Sequence, residues 1–94
     1  DGVLGFTRAF LYAGSSSVLA TLWDLPDASA QHVLPRFYRE WRRGSDKSAA
    51  LRDAQRALIA ALRAGRIRVR TPLGEAVLPE DPVLWANFVL VGEP

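Results

Sequence analysis

The residue types that most often carry out chemistry in proteins are nearly absent from this sequence. It contains no cysteine and a single histidine, His32. A thiolate nucleophile needs a cysteine and a neighbouring base that takes its proton, so the chain can supply at most the base. His32 falls near a predicted helix start, where a partly exposed surface histidine is a better interpretation than a general base. The sequence also excludes a disulfide framework and a zinc site built on thiolates.

Arginines form the second group of residues that could act on a ligand. Arg66, Arg68 and Arg70 alternate with Ile67 and Val69. Guanidinium groups in such a row can contact phosphates, but no aromatic residues interleave with them to stack on bases. A solvated strand edge that resists edge-to-edge pairing is the simpler interpretation. Nucleic-acid binding is therefore the least favoured function.

Length and composition indicate one domain or part of one. The chain has 94 residues, a formal net charge of +2 and a hydrophobic fraction of 49%. That fraction is high for so short a chain, so we expect surplus apolar surface to meet missing neighbours. No apolar run reaches the roughly 18 residues of a membrane span, and no signal-peptide pattern is present. The start at Asp1 without methionine suggests a fragment or a processed piece, and the lack of cysteine fits a cytoplasmic location.

Hydrophobic periodicity predicts the elements that hold these residues. Apolar residues recur at helical spacing over residues 2–13, which predicts a helix that ends at Gly14. A nearly continuous apolar run follows over residues 18–23. Continuous rather than alternating apolarity is typical of a strand buried on both faces, as in a parallel sheet. Turn-forming residues then predict a loop.

Two further helices are predicted in the middle of the chain. The first covers residues 28–43, with Asp27 or Ser29 as candidate N-cap. Pro35 lies inside it, so either the helix kinks or regular helix begins only near Leu34. The unbroken apolar stripe favours the kink.

The other helix covers residues 47–64, with Asp46 as a plausible N-cap and Gly65 as its terminator. Strict alternation over residues 66–70 then predicts a half-exposed strand, and a turn leads to a hairpin partner at residues 75–78. A last strand is predicted over residues 83–91. Strands that alternate with helices indicate an α/β layer structure, with the rest of the sheet expected upstream.

Five sequence motifs occur in series along nearly the whole chain. They are the helical pattern at residues 2–14, the strand at 17–23 that runs into the loop at 23–27, Phe37-Tyr38, the Ala-Leu-Arg-Asp-Ala-Gln at 50–55, and the Trp-Ala-Asn-Phe-Val-Leu-Val-Gly at 85–92. Each motif alone is weak, but in this order they resemble the CHAT domain, a caspase-like domain found next to tetratricopeptide repeats. The segment at residues 66–82 has no strong match and reads as a variable hairpin or loop insertion.

The resemblance implies a caspase-like three-layer α/β/α sandwich with a mostly parallel sheet, of which residues 1–94 would form the C-terminal portion. In this family the catalytic histidine and cysteine lie on earlier segments, so no catalytic residue is assigned to this chain. The same resemblance implies that the 23–27 loop stands where caspase-like peptidases form one wall of the pocket for the residue before the scissile bond. A carboxylate there would favour a lysine or arginine of the substrate by charge pairing.

Trp23, Asp24 and Asp27 are thus the candidate substrate-binding residues, and each has a simpler alternative. Asp27 could cap the next helix through its free N–H groups, and Asp24 could be an ordinary turn residue. Trp23 could be the last core residue of its strand.

The leading hypothesis is that the chain supplies core strands and a pocket wall to a cysteine peptidase domain. Its implied partners are the N-terminal half of the same domain, tetratricopeptide repeats and a polypeptide substrate, with self-association through an exposed sheet edge as a further option. No cofactor, metal or membrane is expected. The alternatives are a non-catalytic interaction module derived from a CHAT domain and, third, a small basic nucleic-acid-binding domain. Whether the chain belongs to an active enzyme stays open.

Overall fold

The computed structural model of the chain describes residues 5–14 and 17–92. These residues form a mixed α/β structure whose strands pair in antiparallel fashion throughout. In chain order the elements are β1 (Phe6–Thr7), β2 (Phe10–Tyr12), β3 (Ser17–Thr21), β4 (Leu25–Pro26), α1 (Asp27–Arg42), α2 (Lys47–Arg63), β5 (Arg68–Thr71), β6 (Gly74–Val77), a 3₁₀ helix (Pro82–Leu84) and β7 (Phe88–Gly92). The main sheet has the order β2-β3-β7, while β1 pairs with β4 and β5 pairs with β6.

The predicted mostly parallel sheet is not what the described residues form. β3 runs antiparallel to both of its neighbours, with Leu19 opposite Leu11 on one side and Leu90 on the other. The chain reverses directly between β2 and β3, where the amide of Ala13 donates to the carbonyl of Ser17 at 2.9 Å. A connection this short can join only antiparallel strands, because a parallel pair needs a long crossover.

The helix predicted over residues 2–13 is wrong for its described part, and its first three positions lie outside the described residues. In place of the helix the chain forms β1 and β2. Ala9 and Ala13 are buried while Phe10 and Tyr12 are exposed, which is the alternation of a strand. β2 pairs with β3 along one edge and β1 pairs with β4, so these contacts override the helical spacing of the apolar residues.

Helix α1 agrees with the prediction to within one residue at each end. It continues through Pro35, so regular helix does not begin at Leu34. The predicted N-caps are wrong: Pro26 holds the cap position, no side chain bonds there, and Asp27 is the first helical residue. Ser29 is fully buried, and its hydroxyl has no hydrogen-bond partner in the described structure.

Helix α2 begins where the sequence predicts. Asp46 adopts an extended N-cap conformation, and its side chain accepts a 2.8 Å hydrogen bond from the amide of Ala49. The helix ends next to Gly65, whose φ of 68° lies in the left-handed region that glycine adopts without strain. In the described ranges, neither helix combines the length and the apolarity that a bilayer crossing demands.

The core lies between the two helices and one face of the main sheet. Val33 and Phe37 of α1 and Leu58 of α2 are fully buried, and Leu19 of β3 belongs to the same cluster. The buried side of α2 is rich in alanine, a residue that favours the helix intrinsically. The opposite face of the sheet is open, because its largest side chains remain exposed. These are Phe10, Tyr12 and Val91, with exposed fractions of 64%, 77% and 58%.

The C-terminal third contains the predicted hairpin, but only half of the predicted last strand. β5 pairs with β6, and Ile67 and Val69 point inward as expected. The segment that begins at Val83 is not extended, because Pro82 starts a 3₁₀ helix and the Asp81 carboxylate accepts a 3.0 Å hydrogen bond from the Val83 amide. The strand begins only at Phe88.

Candidate functional site

The 23–27 loop leaves the main sheet after β3 and is anchored in its middle. Leu25 is almost completely buried, and with Pro26 it forms β4, which pairs with β1 through the register Thr7 to Leu25 and Phe6 to Pro26. The apolar pair at the centre therefore fixes the loop, while the polar residues on both sides of it face solvent. The carboxylates of Asp24 and Asp27 therefore project from a loop whose backbone is fixed at its centre.

A second anchor comes from the segment just before β7. The amide of Leu22 donates to the carbonyl of Asn87 at 2.9 Å, and the Nδ2 of Asn87 donates to the carbonyl of Trp23 at 3.1 Å. The indole Nε1 of Trp23 donates to the carbonyl of Val83 at 3.0 Å. Three hydrogen bonds thus tie the start of the loop to residues 83–87.

Asn87 is completely buried, so its side-chain amide can form hydrogen bonds only within the protein and not with bulk water. Its Nδ2 is used by Trp23, whereas its Oδ1 has no hydrogen-bond partner among the described residues. A buried amide oxygen without a partner costs free energy, because it has lost its hydrogen bonds to water. The same side chain thus leaves its Oδ1 unpaired and holds the loop through its Nδ2.

Trp23 is not the last core residue of its strand. β3 ends at Thr21, and the Trp23 side chain is 37% exposed beside the 3₁₀ helix. Its ring therefore has both an anchored nitrogen and an accessible surface, which suits a residue that lines a pocket.

Asp24 is exposed and lies close to one cation. Its carboxylate is 3.7 Å from the Nε of Arg8, and both side chains are more than half exposed. Arg8 is positioned by its neighbour Ala9. The amide of Ala9 donates to the hydroxyl of Thr21, and its carbonyl accepts from the amide of Thr21. An ion pair in this setting is weak, so an incoming cation can compete for Asp24.

Asp27 occupies the first turn of α1 with its side chain exposed. Its amide donates to the carbonyl of Gly5 at 3.0 Å. A carboxylate at a helix N-terminus is stabilised by the helix dipole. A Cβ on Gly5 would lie only 2.7 Å from Oδ2 of Asp27, so the glycine leaves the space that this carboxylate occupies.

His32 lies on α1, outside the loop. It is half-buried, and its Nδ1 is buried without a hydrogen-bond partner in the described structure. Burial lowers the pKa of His32, and the positive charges of Arg66 and Arg36 lower it further. His32 makes no hydrogen bond or ion pair with the candidate carboxylates in the described structure, so we assign it no role in this site. Among the described residues, no group of three or more His, Asp or Glu side chains could hold a metal ion.

The structure adds residues that the sequence analysis did not assign to the site. Asn87 and the carbonyl of Val83 hold the loop, and Arg8 is the neighbour of Asp24. A signal for Asn87 was present in the sequence. An asparagine inside an otherwise apolar motif is expected to be buried with its amide bonded.

Comparison with known proteins identifies the family of this chain. The family model of the CHAT domain matches residues 1–93. The chain is 33% identical over 92 residues to tetratricopeptide repeat protein 28 of Homo sapiens and 30% identical over 92 residues to the Mus musculus protein of that name. These alignments cover 98% of the chain but about 3% of each relative. No solved structure matches it. The chain belongs to the CHAT domain family.

Proposed function

We propose that this chain is the C-terminal portion of a caspase-like CHAT peptidase domain and forms one wall of its substrate pocket. The observation that carries the proposal is the construction of the 23–27 loop. Its backbone is held by Asn87 and Val83, while Asp24 and Asp27 expose their carboxylates. A carboxylate held in place before the substrate arrives loses little entropy on binding, which favours recognition of a basic side chain.

The catalytic groups would come from a preceding part of the same polypeptide. This chain has no cysteine, so the nucleophilic thiolate would belong to another segment, and the family resemblance places the histidine that accepts its proton there as well. The thiolate would attack the peptide carbonyl to form an acyl-enzyme, and the histidine would return the proton to the leaving amine. The role of this chain is to orient the substrate through charge pairing with a lysine or arginine.

The open face of the main sheet supports the proposal that a further layer of the domain packs against it. Phe10, Tyr12 and Val91 are each more than half exposed there, and Leu22 beyond the end of β3 is 55% exposed. A contiguous apolar patch of this kind is typical of an interface rather than of a free surface. Helices from the N-terminal half of the domain would cover it and complete a three-layer sandwich.

A second candidate function is a non-catalytic interaction module. The relatives at about 30% identity are called tetratricopeptide repeat proteins, and the chain spans about 3% of their length. In this alternative the same open sheet face docks on tetratricopeptide repeats, and the 23–27 loop is only a structural turn.

Co-purification of the chain with the preceding segment of its parent polypeptide tests the proposal. Hydrolysis is measured on two fluorogenic peptides that differ only in arginine or leucine before the scissile bond. Replacement of both Asp24 and Asp27 by Asn should lower kcat/KM for the arginine peptide by roughly 10- to 100-fold, since a hydrogen bond to a charged group contributes about 1.5–3 kcal/mol once the bound substrate covers it. Hydrolysis of the leucine peptide should change little.

A matched control removes two carboxylates elsewhere, through Asp46→Asn with Asp53→Asn on and beside α2. This control should leave the ratio of the two rates unchanged. Equal loss on both peptides in the loop variant would refute the pocket wall. A stable complex without hydrolysis of either peptide would support the interaction module in its place.

A further inference from the structure

The hairpin formed by β5 and β6 carries a row of arginines on its outer side. Arg66, Arg68 and Arg70 are exposed, while Ile67 and Val69 between them are 6% and 8% exposed. Alternate residues of a strand point to opposite faces, so Arg68 and Arg70 of β5 share one face, and Arg66 lies just before the strand. That face is directed away from the core.

Two of these arginines, Arg68 and Arg70, also present backbone groups that β6 does not pair. The amide of Leu78 donates to the carbonyl of Ile67 at 2.9 Å, and Val69 lies opposite Ala76. In an antiparallel pair the residues alternate between bonding to the partner strand and pointing away from it. The N–H and C=O groups of Arg68 and Arg70 therefore point outward, and β5 pairs with no strand other than β6 in the described residues.

Charge at this edge is positive and only partly compensated. Glu75 is the one carboxylate on the paired strands, and it lies 3.3 Å from Arg68. Arg66 and Arg70 form no ion pair within the described part of the chain. The positive charge of Arg66 also contributes to the lowered pKa of His32, so its field reaches the α1 surface.

The tip of the hairpin adds an apolar contact point. Leu73 is fully exposed, and Val77 on β6 is 46% exposed. A second copy of the hairpin would place arginines opposite arginines, which is unfavourable. Nucleic acid fits less well than protein, since no aromatic side chain between residues 66 and 78 could stack on a base.

We propose that the free edge of β5 binds an acidic, extended segment of a protein partner by strand addition. The partner's backbone pairs with the outward groups of Arg68 and Arg70. Its acidic side chains meet the arginine row, and an apolar residue contacts Leu73. This surface is separate from the 23–27 loop, and the inference does not depend on peptidase activity.

The probe is a fluorescein-labelled peptide that alternates Glu with Val or Thr and is about eight residues long, the length of an ordinary strand. It is titrated against the full 94-residue chain and followed by fluorescence anisotropy. The double variant Arg68→Glu with Arg70→Glu should weaken binding by at least about tenfold. Binding should also weaken as salt rises from about 50 mM to about 500 mM, because exposed charges are screened.

The matched control is Arg52→Glu with Arg56→Glu, which makes the same change of charge on the exposed face of α2. If the position of the arginines rather than the net charge of the chain determines affinity, this control should change the Kd by less than about twofold. Hydrogen exchange separates strand addition from simple charge attraction. With peptide bound, the amides of Arg68 and Arg70 should exchange at least about tenfold more slowly, while the exposed loop amides should not.

Three results would overturn the proposal. One is the absence of salt-dependent binding, which would leave the arginines only as a guard against edge pairing. Another is an equal effect of the two double variants. The third is stronger binding of a single-stranded oligonucleotide than of the acidic peptide, which would assign the surface to nucleic acid.

Discussion

Asn87 donates a hydrogen bond from its buried side chain to the carbonyl of Trp23, which lies 64 positions earlier in the chain, at 3.1 Å. This bond joins the approach to the last strand to the loop that carries both candidate carboxylates. The position of the loop therefore depends on the opposite end of the chain, and its contribution can be measured.

Replacement of Asn87 by Asp should destabilise the fold by about 3–5 kcal/mol, since it removes the donor and leaves an uncompensated charge buried beside the Trp23 carbonyl. The loss is measured by urea unfolding at neutral pH. Part of it should return in mildly acidic buffer, where the aspartic acid becomes protonated and can donate. The control Gln31→Glu makes the same change at an exposed site of α1 and should stay within about 0.5 kcal/mol of the parent. Equal losses in the two variants would contradict the role of the bond.

Pro35 occupies an exposed position in the middle of α1, where it cannot donate a backbone hydrogen bond. Pro35→Ala should stabilise the chain by about 1–2 kcal/mol, because a proline inside a helix costs about 3 kcal/mol and part of the gain is offset by a freer unfolded chain. The melting temperature followed by circular dichroism should rise. Pro82 starts the 3₁₀ helix, where proline fits, so Pro82→Ala should give no gain. A lower melting temperature for Pro35→Ala would count against this account.

Asp46 caps α2 through its hydrogen bond to the Ala49 amide. Asp46→Ala should lower the free energy of unfolding by about 1 kcal/mol, the usual effect of losing a side-chain N-cap. Asp46→Asn keeps an oxygen that can accept the same bond, and it should retain most of the stability. Urea unfolding of the three proteins in parallel checks the order. An alanine variant as stable as the asparagine variant would show that the Asp46 cap does not contribute to the free energy of unfolding.

His32 should make the fold less stable as the solution becomes acidic. Burial, Arg66 and Arg36 all lower the pKa of His32 in the folded chain. The unfolded chain therefore takes up a proton at a higher pH than the folded chain, so stability is full above the unfolded pKa of about 6.5 and falls as pH drops below it. Urea unfolding between about pH 7.5 and pH 5 should show this slope, in the range where His32 titrates.

His32→Gln should flatten that slope, and added salt should reduce the share that comes from Arg66 and Arg36. An unchanged slope in the glutamine variant would mean that His32 is not the titrating group.

The sequence predicted most of what is local. The helices α1 and α2, the Asp46 cap and the hairpin at β5 and β6 follow from periodicity, capping and turn residues within a few positions of each other. The family could also be named from short motifs in series, because family resemblance survives in the order of residues along the chain.

The tertiary structure decided what depends on distant partners. The apolar residues before Gly14 have helical spacing, yet the chain there forms β1 and β2, because β4 pairs with the first and β3 with the second. The antiparallel direction of the sheet and the bond from Asn87 to Trp23 likewise join segments far apart in the chain. Local residue preferences differ by only about 1 kcal/mol, so long-range pairing and burial can outweigh them, and no short stretch of sequence records which partner will be present.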